Sequence, residues 1–136
     1  MIDIENDIFN DAAQILRTAH SGIYVIGEYT ETPARFPCVT IVEADNRVIP
    51  SMRTLNIENA ILSMFEINIY SNKASGKKTE AKAIANTVDE FFSSIGYTRT
   101  FREQVPNLKD ATIYRIVCRY EANVDKDLWI YHNNLS

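Results

Sequence analysis

Residues Met64–Phe101, MFEINIYSNKASGKKTEAKAIANTVDEFFSSIGYTRTF, decide how this chain folds. From Met64 to Ser71, Phe65, Ile67 and Ile69 alternate with Glu66, Asn68 and Tyr70. That two-residue period predicts a strand with one apolar and one mixed face. After a polar turn, the period changes to about 3.6 over Ser75 to Ile95. Ala81, Ile84, Ala85, Val88, Phe91, Phe92 and Ile95 share one side of the predicted helix, and Lys78, Lys82, Asn86, Asp89 and Ser93 the other. Gly96 stands where a helix ends on a left-handed residue, and Tyr97 to Glu103 resumes as a short strand. Roughly 20 residues at about 1.5 Å each make a helix of about 30 Å, long enough to cross a small sheet.

Upstream, Asp3 to Ala19 predicts a first helix with Ile4, Ile8, Ala12, Ile15, Leu16 and Ala19 as its apolar stripe. Asp3 is the expected N-cap, and Gly22 the stop. Ile23 to Tyr29 could add a short strand, and Glu28 to Pro37 reads as a surface connection. Cys38 to Ala44 is a β-branched strand, expected to end at Asp45-Asn46. Residues 48–62 lack a sustained period and read as a projecting loop or hairpin. Downstream of a turn at Val105–Asp110, Ala111 to Val124 is the longest strand candidate. It puts Tyr114, Ile116, Cys118, Tyr120 and Ala122 on one face and Arg115, Val117, Arg119 and Glu121 on the other. Residues 125–136 form a C-terminal tail. The order α-β-β-α-β-β predicts an α+β two-layer sandwich, a mainly antiparallel sheet of four to five strands with two helices on one face.

A length of 136 residues is one domain's worth. The 46% hydrophobic and 24% charged content is that of an ordinary globular protein, and no apolar run reaches a membrane span's length. The net charge of −4 argues against a dedicated nucleic-acid binder. The acidic start, MIDIENDIFND, is unlike a signal peptide, so the protein is expected to stay where it is made. Cys38 and Cys118, each in an apolar alternating run, read as buried thiols rather than a disulfide.

The segment Ser71–Thr79, SNKASGKKT, follows a strand and opens a helix as a phosphate-binding loop does. Its spacing fails: Ser71 replaces the first glycine and Lys78 replaces the magnesium-binding hydroxyl. A small nucleotide-binding enzyme using Lys77 is therefore the weakest functional reading. Lys77 and Lys78 also stand in the first helical turn, where the dipole disfavours cations. They are either solvated or opposed to an acidic neighbour on another subunit. His20 and His132 have no ligands at metal spacing. Asn123, Asp125 and Asp127 are too sparse for a calcium loop, and no nucleophile elbow occurs. No catalytic residue, metal or cofactor is expected. The mixed face carrying Met64, Glu66, Asn68, Tyr70, Ile113, Arg115, Val117, Arg119 and Glu121 is either an uncovered protein interface or a solvated surface with scattered aliphatics.

The opening MIDIENDIFNDAAQILR, the FPCVTIVEADN strand, the Phe65–Phe101 unit and PNLKDATIYRIVCRYEA together resemble the tail terminator, or tail-completion, proteins of long-tailed bacteriophages and prophages. The resemblance covers nearly the whole chain. It implies a structural virion protein, assembled in the host cytoplasm, that forms a ring, typically a hexamer. Such a ring caps the tail tube, stops its polymerisation and joins the tail to the head. The implied partners are further copies of the chain, the major tail tube protein and the head–tail connector, with genome DNA passing through the lumen without specific binding. A head-completion or connector adaptor of the neck is the alternative. The family has no catalytic residues to transfer. The interface candidates are Arg53, Lys77, Lys78, Arg115, Arg119 and Trp129.

Overall fold

The computed structural model describes residues 2–49 and 60–125. In chain order the elements are α1 (Glu5–Ala19), β1 (Tyr24–Ile26), β2 (Cys38–Val48), β3 (Ala60–Ser71), α2 (Lys77–Ser94), β4 (Thr98–Gln104) and β5 (Tyr114–Asp125). The strands form one sheet in the order β1-β2-β3-β5-β4; β1 pairs with β2 in parallel, and every other pair is antiparallel. The architecture is the α+β sheet with two helices expected from the period changes, with β1 added at one edge.

The alternation of β3 sorts the sheet into two faces. Phe65, Ile67 and Ile69, with Val39 and Ile41 of β2 and Ile116, Cys118, Tyr120 and Val124 of β5, join the helix stripes in the main core. In α2 that stripe is Ala81, Ile84, Ala85, Val88, Phe91 and Phe92. Phe92 stands at its centre. Its ring stacks on Tyr120 at 4.6 Å, meets Phe91 and Tyr97 edge-on at 5.2 and 5.4 Å, and lies 5.6 Å from Phe65. Gly96, at φ +94°, ends the helix: its N–H donates to the Ser93 carbonyl and the Tyr97 N–H to the Phe92 carbonyl. This paired bonding is a Schellman motif, and it swings Tyr97 back into the core.

Four local expectations shift. Helix α1 begins at Glu5, with Ile4 as N-cap and no side-chain cap; the Asp3 carboxylate instead accepts the Glu5 N–H at 3.3 Å. Its buried arc is Ile8, Ala12, Ala13 and Leu16, which leaves Ile15 at 44% exposure and Ala19 exposed. Strand β2 does not end at Asp45-Asn46 but runs on to Val48. A bulge between Glu43 and Asp45 takes up Ala44 and switches which residues face the helices. The flanks of 48–62 are therefore strand, paired as far as Val48–Ile61, while the connection between them lies outside the described residues.

Candidate functional site

The second face of the sheet was the expected open surface. The structure divides it. At the end of β3 nearest Ser71, Cys38, Tyr70 and Ile113 form a separate small core with Tyr24, Ile26 and Phe36 packed against it. Tyr70 and Asn68 are 0% and 2% exposed, and Ile113 and Val117 are also buried. The expectation that Tyr70, Asn68, Ile113 and Val117 lie on an open surface is thus corrected. At this end the face has a roof, made by the connection between β1 and β2. The Tyr70 hydroxyl donates to the Thr30 carbonyl at 2.6 Å, and the Asn107 side-chain amide donates to the Glu31 carbonyl at 3.1 Å. A sequence reading of alternation cannot anticipate such a roof, because the covering residues are irregular and distant in the chain.

Arg115 belongs to this roofed end. Its Nε donates to Asn68 Oδ1 at 2.9 Å, and its guanidinium lies 5.8 Å from the Tyr29 ring and 5.9 Å from the Tyr70 ring. It braces the roof through its flat, fixed donor array. Arg119, four residues along β5, lies nearer the other end of the face. Its Nε meets Glu66 Oε2 at 3.0 Å, with the Phe101 ring 4.9 Å from its guanidinium. Around it Val42, Leu62, Met64 and Phe101 are only half-buried. The structure thus gives the two arginines different neighbours.

The lysines separate in the same way. Lys77 Nζ donates to the Thr112 carbonyl at 2.9 Å, tying the start of α2 to the turn before β5. The loop Ser71–Thr79 builds no phosphate cradle around it: Ser71 Oγ donates to Glu80 at 2.6 Å, and Gly76 caps the helix in the left-handed conformation, without a side-chain cap bond. Lys78 is exposed. Arg53 and Trp129 lie outside the described residues.

Burial governs the acid–base chemistry. Cys38 and Cys118 are free, buried thiols, each pushed up to about 11 by desolvation. A thiol held so far above neutrality is a poor nucleophile. Burial likewise raises the phenols of Tyr70, Tyr97 and Tyr120. Among the described residues the carboxyl of Glu43 is raised, by burial first, with the nearby Glu5 and Asp3 charges adding to it and hydrogen bonds from Ser63 and Asn46 opposing it. Glu43 ends a hydrogen-bond chain: the Tyr97 hydroxyl donates to Ser63 Oγ at 2.9 Å, and Ser63 Oγ donates to Glu43 Oε2 at 2.8 Å. The chain ties the bulge of β2 to β3 and to the stop of α2. Ser63 is 0% exposed, and a serine inside an apolar strand is the one sequence signal it carries. Among the described residues, no group of three or more His, Cys, Asp or Glu could hold a metal ion. No helix among them is long and apolar enough to cross a membrane.

Two surface features remain. A cleft of about 490 Å³ opens between α1 and the β1 edge, lined by Phe9, Tyr24, Ile26 and Ile41 with Glu5 and Glu28 among its polar residues. Leu108, in the turn between β4 and β5, is 95% exposed. No protein-family model matches the chain, and no curated protein is significantly similar to it.

Proposed function

We propose that this chain is a structural subunit of a bacteriophage tail terminator: copies assemble into a ring that caps the tail tube, stops its growth and joins it to the head. The reading is carried by the resemblance of nearly the whole sequence to that family. The α+β sheet backed by two helices is consistent with it. Under this reading the half-exposed part of the second face, around Arg119, Glu66, Leu62, Met64 and Phe101, is an assembly surface. Arg115 keeps the roof in place rather than meeting a partner. Lys78 is the lysine available for an acidic neighbour, since Lys77 is already held by Thr112. The partners are other copies of the chain, the tail tube protein and the neck connector. The role is assembly rather than catalysis, and the protein resides at the head-proximal end of the tail.

Deleting the gene from its phage and imaging the lysate tests the reading. Overlong, headless tubes are expected. Tails of normal length that fail only to join heads would instead identify a neck adaptor, and normal virions would remove both readings.

A further inference from the structure

The net charge of −4 is unevenly placed along the chain. Residues 1–45 hold eight carboxylates against Arg17 and Arg35, whereas residues 71–119 hold nine lysines and arginines against five carboxylates. The fold turns this asymmetry in sequence into one in space. Helix α1 packs on β1 and β2, and α2 on β3, β5 and β4, so α1 with β1 makes one flank of the sheet and α2 with β4 the opposite flank.

On the first flank, Glu5 and Glu28 both line the cleft between α1 and β1. The Glu5 carboxylate accepts the Glu43 N–H at 2.7 Å, at the outer edge of β2, where the pairing with β1 has already stopped at Thr40. Asp7, in the first turn of α1, is exposed. On the opposite flank, Lys78, Lys82 and Asn86 form a row along α2 at four-residue spacing. Asn86 Oδ1 accepts from Arg102 Nη1 of β4 at 3.1 Å, which sets that row beside the edge strand. Lys78 and Lys82 are exposed. Among the described residues, neither these lysines nor Arg102, Glu5 or Glu28 has an ion-pair partner.

The two flanks also stand at matching heights. One row of the ladder runs Ile41, Ile67, Cys118, Arg102, and another runs Glu43, Phe65, Tyr120, Arg99. Arg102 is thus two residues, about 7 Å, from the row to which Glu5 is bonded, an offset that lysine and arginine side chains span. Strand addition is blocked at both flanks. Strand β1 has three residues, Glu5 takes the Glu43 N–H beyond it, and a bulge between Arg99 and Phe101 breaks the β4 ladder. A contact between the flanks is therefore made by side chains.

We propose that the basic α2–β4 flank of one copy, with Lys78, Lys82 and Arg102, docks on the acidic α1–β1 flank of the next, with Glu5, Asp7 and Glu28. Resting on the ring reading above, this assigns the contact that joins neighbouring subunits. The occupant is a second copy because each flank supplies the charge that the other lacks, at the height that the other presents it. Like flanks repel, so the contact is heterologous, and repeating it makes a ring when the rotation closes.

Sedimentation velocity of the full chain over concentration and salt tests this, on wild type, Lys78→Glu/Lys82→Glu and Asp7→Lys/Glu28→Lys. None of the four replaced side chains makes an ion pair among the described residues, so both variants should melt close to wild type. Wild type should assemble at low salt and come apart toward 1 M, where the screening length falls to about 3 Å. Each variant alone should need about tenfold or more concentration to assemble. Mixed one to one they should assemble again, since one has two acidic flanks and the other two basic ones. Wild-type assembly that salt does not weaken, or a mixture no better than its parts, overturns this contact and leaves the ring reading standing. Wild type that stays monomeric at every concentration and salt also overturns the contact; the tails of the gene deletion then decide the ring reading separately.

Discussion

Replacing Ser63 by alanine should cost about 2 kcal/mol, and the loss should grow as pH rises. Ser63 is 0% exposed and Tyr97 is 4% exposed, so the Tyr97 hydroxyl that donates to Ser63 has no water to turn to. Orphaning a buried donor costs about 1–3 kcal/mol. The second bond, from Ser63 to Glu43, ends on a half-buried carboxylate that water partly reaches, so it adds less. About 2 kcal/mol corresponds to a drop in melting temperature of roughly 6–10 °C for a chain of this size. The pH dependence follows from Glu43. Its folded-state pKa is raised, so its contribution to stability is fully present below the ordinary carboxylate value and is lost as pH rises through the folded value. The Ser63 bond opposes that rise, because it favours the charged form. Without it the folded pKa moves higher still, so the gap between wild type and variant should widen with increasing pH.

Urea denaturation of wild type, Ser63→Ala, Tyr97→Phe and the double variant, at pH of about 4 and about 7.5, measures both effects. Removing both partners leaves no orphaned hydroxyl, so the double variant should lose clearly less than the sum of the singles, by about 1 kcal/mol. Strict additivity, or a Ser63→Ala penalty that shrinks toward the higher pH, would refute the chain as a coupled unit.

Phe92→Ala should destabilise by about 3–5 kcal/mol, because it empties the centre of the aromatic cluster; calorimetry showing less than about 1.5 kcal/mol would mean the core collapses to fill the space. Thr40→Val should stabilise by about 1 kcal/mol in chemical denaturation, since the Thr40 hydroxyl is 0% exposed and has no hydrogen-bond partner among the described residues, and valine keeps its branched shape. A destabilised variant would contradict that reasoning. Arg119→Glu should change monomer stability by no more than about 1 kcal/mol, because the Arg119 and Glu66 side chains are 43% and 26% exposed and water screens them. The same change should weaken self-association by light scattering, with Glu66→Arg in the same chain restoring it. Cys38 and Cys118 should react with a thiol reagent only after unfolding, because both are buried with pKa values of about 11; fast labelling of the native protein would contradict their burial.

Arg115 and Arg119 mark the limit of reading a strand by itself. Alternation correctly placed both opposite Cys118 and Tyr120, since successive strand residues point to opposite faces whatever else the chain does. It could not tell that Arg115 would lie beside the Tyr29 and Tyr70 rings while Arg119 pairs with Glu66 beside the Phe101 ring. That difference is made by the connection between β1 and β2, irregular backbone with no period to read, held down by two hydrogen bonds from distant residues. Strand β2 shows the same division. Its β-branched start was legible, but an Asp-Asn pair that commonly marks a turn lies inside the strand, because the bulge at Ala44 and the pairing with β3 satisfy the backbone there.

The Met64–Phe101 stretch determined by itself that a strand is followed by a long helix and a sharp stop. Those are local matters of period and of one glycine with positive φ. Its motif spacing also departs from a phosphate loop's, because Ser71 and Lys78 stand where the first glycine and the hydroxyl belong. Only the tertiary structure decided that Lys77 is committed to Thr112, that Tyr97 closes a buried chain to Glu43, and that Asn107 reaches the Glu31 carbonyl to hold the β1–β2 connection down. Each of these joins residues far apart in sequence. Their cost or gain depends on how much water the surrounding chain excludes, a property of packing that no local pattern carries.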